Sequence, residues 1–240
     1  MTATLIGVGV GPGDPEHLTM RALRVLREAH RVAAPSVAVD AVGRAESIVR
    51  QALPGLVIDR IPFEMAPGSS ARAETAAAAA ETIAGWLDAG ESVAFVTLGD
   101  PNVYSTFSAV AAAVLRLRPT TPIETVPGIM AFQDLAARVG TVLLDDTESL
   151  TLVTALDGPD DAVAALDDPT RAVVIYKGGR HVPALANALA AAGRLDGAVI
   201  GELLGLPGER IARLADVAQA PSSYLATIVV PPGGPRAVRS

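Results

Sequence analysis

At 240 residues, half of them hydrophobic and only 19% charged, the chain can bury one large core or two modest ones. A formal net charge of −7 argues against a general nucleic-acid surface, which would be basic. The absence of cysteine excludes disulfides and thiolate-held metals.

Residues 4–10 read as an apolar strand, closed by Gly11-Pro12-Gly13-Asp14-Pro15. Over 16–29, Leu18, Ala22, Leu23, Val25 and Leu26 recur at roughly helical spacing. A strand returns at 31–36, a helix at 40–53 and a third strand at 56–61. Residues 63–70 form a loop containing Pro67-Gly68, followed by an alanine-rich helix over 71–89 that Gly90 stops. A strand at 92–96 then leads through Gly99-Asp100-Pro101 into a helix over 103–117, with a fifth strand at 122–126. This alternation calls for a largely parallel sheet with helical crossovers.

Val126-Pro127-Gly128 marks the expected junction, dividing the chain into domains 1–126 and 127–240. The second holds a helix over 129–139, strands at 150–155, 172–177, 198–204 and 224–231, and a helix over 182–192. A short strand at 211–214 would make part of this second sheet antiparallel. The Gly- and Pro-rich end, 231–240, is expected to fray. No secretory pattern opens the chain and no run is apolar enough for a membrane helix, so the expected setting is cytoplasmic, without a membrane partner.

Three familiar chemistries fail on spacing. The run Gly7-Val8-Gly9-Val10-Gly11-Pro12-Gly13 suggests a dinucleotide fingerprint, but Pro12, Asp14 and Glu16 stand where the third glycine is needed. No G-K-[ST] forms a phosphate loop, and no serine sits in a G-x-S-x-G elbow. His17, His30 and His181 are too scattered for a metal site, and Asp145-Asp146, Asp160-Asp161 and Asp167-Asp168 read as solvated acidic loops. The sequence thus points to no metal. What remains is the Gly-Asp-Pro turn, at the strand-to-helix junction where open α/β sheets place ligands. Lys177 is the only lysine, so positive charge is almost all guanidinium; that suits carboxylate recognition, although genomic bias yields the same usage.

Taken together, these residues resemble the tetrapyrrole methylase family, which uses S-adenosylmethionine as methyl donor. The resemblance spans nearly the whole chain and rests on Val8-Gly9-Val10-Gly11-Pro12-Gly13-Asp14-Pro15 with Leu18-Thr19, on Gly99-Asp100-Pro101, and on Val126-Pro127-Gly128-Ile129. Within the family, Thr97-Leu98-Gly99-Asp100-Pro101 with Val103-Tyr104-Ser105-Thr106 is most similar to the enzymes that methylate precorrin-2 at C20, as is Leu206-Pro207-Gly208-Glu209-Arg210-Ile211. Another corrin-ring methyltransferase, or a non-catalytic cofactor-binding relative, is the alternative.

The resemblance implies two α/β/α domains, the first with a mostly parallel five-stranded sheet and the second with a mixed sheet. It also implies a homodimer and a cofactor cleft between the domains. On matching positions the cofactor contacts would come from Pro12, Gly99, Asp100 and Val103, from Met130 and Ala131, from Tyr176 and Lys177, from Leu204 and Gly205, and from Ala226 and Thr227. Two departures stand out: Met130 replaces the family's small hydroxyl residue, and Pro62-Phe63-Glu64-Met65 lacks the subgroup's Met-Thr pattern. The nucleophile would be an electron-rich carbon of the reduced tetrapyrrole, with or without cobalt, so no protein nucleophile is required. Asp100 and Tyr104 are candidates for the base that takes the departing proton, though a helix-capping carboxylate and a packed aromatic explain them as well. Arg21, Arg138 and Arg180 are candidates for the substrate's carboxylates.

Overall fold

A computed structural model describes residues 2–64 and 70–233. The chain divides into two compact units, Met1–Met130 and Ala131–Ser240.

In the first unit the strands are β1 (Leu5–Gly9), β2 (Arg31–Ser36), β3 (Asp59–Pro62), β4 (Val93–Thr97) and β5 (Ile123–Val126). They form one sheet in the order β3-β2-β4-β1-β5, every pairing parallel. The connecting helices are α1 (Met20–Glu28), α2 (Arg44–Ala52), α3 (Ser70–Asp88) and α4 (Thr106–Leu117). Right-handed crossovers send α1 and α2, which carry the chain toward β3, to one face, and α3 and α4, which carry it back, to the other. The main core of the unit lies under α3 and α4, where Ile83, Leu87, Val110 and Val114 pack on Leu5, Val93 and Phe95. The rings of Phe95 and Phe107 meet there with centroids 6.2 Å apart.

Several boundaries differ from the sequence reading, two of them through a side-chain cap. The expected helix over 16–29 is a 3-10 turn, Pro15–His17, followed by α1. Asp14 caps the turn through Glu16 N–H at 2.8 Å, and Thr19 caps α1 through Ala22 N–H at 3.0 Å. The expected helix at 103 starts instead at Thr106, because the Ser105 hydroxyl accepts Phe107 N–H at 2.9 Å. The helix expected from 40 begins at Arg44. Residues 65–69, with Pro67-Gly68 and Met65, lie outside the described residues, as do 234–240.

The second unit contains α5 (Ala131–Val139), β6 (Ser149–Thr154), α6 (Asp160–Ala164), β7 (Arg171–Tyr176), α7 (Val182–Ala191), β8 (Val199–Glu202), β9 (Arg210–Arg213), α8 (Leu214–Val217) and β10 (Ala226–Val230). Its sheet runs β6-β7-β10-β8-β9: β6 and β7 are parallel, and the other pairings are antiparallel. The sheet is therefore mixed, and Ile175, Leu185, Leu189, Ile200, Leu214 and Ile228 fill its core. Asp160-Asp161, expected in a loop, open the short α6. Acidic side chains there favour the positive end of the helix.

Candidate functional site

β1 and β4 are neighbours whose following helices leave to opposite faces, which makes the carboxyl ends of these strands the switch point of the first sheet. Three loops converge there. The loop after β4 pairs with the loop after β1 through a bridge between Gly99 and Gly11, with Gly99 N–H donating to Gly11 O at 2.8 Å. The loop after β5 closes on both: a β-carbon on Gly128 would lie 2.1 Å from Gly99 O, and one on Gly9 would lie 2.7 Å from Gly128 N. No side chain fits between backbones so close.

Gly99 differs from these two. Its φ is +68°, and a β-carbon there would meet nothing within 4 Å. The backbone is thus bare on its open side, a cradle that a ligand can approach closely. Asp100 straps the loops together: one carboxylate oxygen accepts Asn102 N–H at 2.8 Å and the other accepts Gly128 N–H at 3.1 Å. Asn102 also reaches the Thr125 hydroxyl at 3.3 Å. Asp100 is therefore not the cap of α4; that is Ser105, whose buried hydroxyl also meets the Thr97 hydroxyl at 3.1 Å. Tyr104 is not a packed aromatic: it is 46% exposed and holds φ at +48°, a conformation costly for a side chain of this size. Pro12 and Val103 lie on the same two loops, and Met130 ends the segment that follows β5.

In the second unit the remaining candidates gather at one end of the sheet. Thr227 lies between Tyr176 and Gly201 in the strand register, and Lys177 N–H donates to Ala226 O at 3.2 Å. Lys177 and Leu203, just past β7 and β8, take left-handed φ values of +59° and +50°. The Tyr176 hydroxyl accepts Phe132 N–H, 3.4 Å away, in the first turn of α5, next to Ala131. Leu204 is buried and packs toward Gly201, while Gly205 stays exposed.

Two carboxylates hold this rim. Glu209 is kept below the usual carboxylate range by the Arg138 guanidinium, and by Gly205 N–H, against a smaller opposing effect of burial. For Glu202 burial is the largest influence and acts upward, but contacts from Ser222, Ser223 N–H and Arg210 together bring it below the ordinary value. Arg138 is thus committed to Glu209 and, at 3.7 Å, to Asp134. Arg21 lies 3.9 Å from Glu124, and Arg180 is exposed with no ion pair among the described residues. Sequence reasoning singled out these loops but not their mutual contacts, because Gly9, Gly99 and Gly128 meet only once the strand order is known.

With this geometry in view, comparison with known proteins identifies the class. The chain matches the Tetrapyrrole (Corrin/Porphyrin) Methylases over residues 4–218 and belongs to that family. Among relatives, it is 32% identical to the precorrin-2 C(20)-methyltransferase of a Sinorhizobium species, covering 95% of this chain and 94% of that one. It is 30% identical to the cobalt-precorrin-2 C(20)-methyltransferase of Salmonella typhimurium, covering 96% and 97%. The solved uroporphyrin-III C-methyl transferase of Thermus thermophilus, complexed with S-adenyl homocysteine, shares the fold with a TM-score of 0.64 at 22% identity, covering 95% of this chain and 97% of that one.

Proposed function

We propose that the protein transfers the methyl group of S-adenosylmethionine to C20 of precorrin-2, free or as its cobalt complex, in cobalamin biosynthesis. The observation that carries this reading is near full-length similarity to two methyltransferases named for that position, in a chain whose Gly99 offers an open cradle at the sheet's switch point. The open side of Gly99 supports a cofactor site there, and we assign Gly99, Asp100, Val103 and Pro12 as its contacts in the first unit. Met130-Ala131, Tyr176-Lys177, Leu204-Gly205 and Ala226-Thr227 would supply further contacts.

When bound, S-adenosylmethionine supplies an electrophilic methyl group, and the attacking carbon belongs to the tetrapyrrole. The protein's task is then approach geometry and exclusion of water, not acid–base activation of a nucleophile. Asp100, with both oxygens accepting backbone N–H groups, acts by holding the loops, while Tyr104 and Asn102 are exposed polar side chains of that loop. Arg21 and Arg180 are the arginines we assign to substrate carboxylates. Among the described residues no helix is long and apolar enough to cross a membrane. The family resemblance supports a homodimer, which light scattering of the purified protein would test, and a cytoplasmic setting, which cell fractionation would test.

The decisive experiment incubates the protein with labelled S-adenosylmethionine and, separately, precorrin-2 and its cobalt complex, and locates the label by mass spectrometry and carbon NMR. One methyl at C20 is expected. Label at C17 or C11 would make it another corrin-ring methyltransferase, and tight cofactor binding with no transfer would make it a non-catalytic relative.

A further inference from the structure

The segment Leu206–Ile211 marks the subgroup in sequence yet has no part in the chemistry above. Its two charged residues, adjacent in the chain, reach in different directions. Glu209 receives both arms of the Arg138 guanidinium at 2.5 Å and the Gly205 N–H at 2.6 Å. Arg210, which opens β9, donates to Glu202 and reaches the Ser222 hydroxyl at 3.3 Å. Glu202, buried at the end of β8, also accepts from the Ser222 hydroxyl and from Ser223 N–H at 2.7 Å. Ser222 N–H in turn donates to Gly179 O at 2.7 Å.

These contacts act on two loops. One follows β8 and carries Leu204-Gly205; the other precedes β10 and delivers Ala226-Thr227. The first has Leu203 in a left-handed conformation that its own side chain disfavours, so an outside restraint has to hold it. The Arg138–Glu209 pair is exposed, and an exposed pair with a single contact is a weak restraint. A bidentate guanidinium–carboxylate pair that also fixes a backbone N–H is a strong one, because the charged acceptor and the planar fork define one geometry.

We propose that Glu209 and Arg210, with Arg138 and Glu202, are positioning residues that clamp both loops in the arrangement the cofactor requires. This rests on the reading of Leu204-Gly205 and Ala226-Thr227 as cofactor contacts. The Leu206–Ile211 segment then serves cofactor affinity without touching the cofactor.

The test is calorimetric titration of S-adenosylhomocysteine into wild type, Glu209→Gln, Arg138→Ala, their double variant and Arg210→Gln, with thermal unfolding of each ligand-free sample. Each single variant should raise Kd about tenfold, the size of loss expected for a charge-assisted contact. The double variant should bind no worse than the weaker single one, since the two residues act as a unit. With substrate, KM for S-adenosylmethionine should rise while kcat stays within about twofold, as for loss of uniform binding. Lowered melting temperatures with unchanged Kd would overturn the clamp and leave the pair a stability device. Gly99→Ala is the control. If it weakens binding while Glu209→Gln and Arg210→Gln do not, the cofactor reading stands and the clamp falls; if wild type does not bind S-adenosylhomocysteine, both fall.

Discussion

Gly99 and Gly128 show how one residue type serves two ends, and substitution should separate them. Gly128→Ala places a methyl group 2.1 Å from a backbone oxygen, so the loops must part. We expect a loss of stability of about 2 kcal/mol or more by denaturant unfolding, the range for overpacking where little can yield. Gly99→Ala meets no neighbour and costs only the left-handed conformation, about 1 kcal/mol. Its β-carbon enters the space that the proposed function assigns to the cofactor, so S-adenosylhomocysteine should bind at least tenfold more weakly to a protein that is still folded; unchanged affinity would move the site away from this loop. The sequence showed that these glycines matter. It did not show that Gly99 stays open while Gly128 meets another backbone, because that depends on β4, β1 and β5 being neighbours.

At the scale of elements, periodicity located the longer helices, and hydroxyl caps set the starts of α1 and α4. The apolar pattern that runs from Val103 extends past the true start of α4, and only the Ser105 hydroxyl fixes it at Thr106. Ser105→Ala removes the bond to Phe107 N–H and leaves the buried Thr97 hydroxyl without that partner. A loss of about 1–2 kcal/mol is expected. Val in place of Thr97 should recover part of it in the double variant, because an apolar group has no bond to miss. Full additivity of the two substitutions would show that the hydroxyls do not interact. The small α6 escaped detection because five residues give too little periodicity to read, and the antiparallel pairing of β8 with β10 is set by chain return, which composition does not report.

For the whole molecule, the strand order came from structure alone, whereas the presence of two α/β units was legible from the break at Val126-Pro127-Gly128 and the change in strand pattern beyond it. Each unit carries its own buried carboxylate held by arginine, and acid should act on both. Glu46 on α2 is fully buried; Arg60, on β3, donates to it at 2.8 and 2.9 Å, and Arg50 at 2.7 Å. Burial is the largest influence on Glu46 and acts upward, but the two guanidinium groups together hold it below the usual carboxylate range. Glu202 is lowered in the second unit. A carboxylate with a lowered folded pKa contributes stability that is full above its unfolded value and is lost as pH falls toward the folded one. Melting temperature should therefore drop between about pH 5 and pH 3, around the ordinary carboxylate range. Glu46→Gln should cost about 1–3 kcal/mol at pH 7, because two arginines lose a charged acceptor, and its deficit should shrink as pH falls. Trp86, the single tryptophan, sits in α3 beneath the Arg31 guanidinium, so its fluorescence reports the first unit, while circular dichroism reports both. Glu46→Gln should shift the fluorescence transition at pH 7, and Glu202→Gln should act mainly on the dichroism. A wild type and Glu46→Gln whose melting temperatures fall in parallel with pH would show that Glu46 is not the acid-sensitive group of its unit.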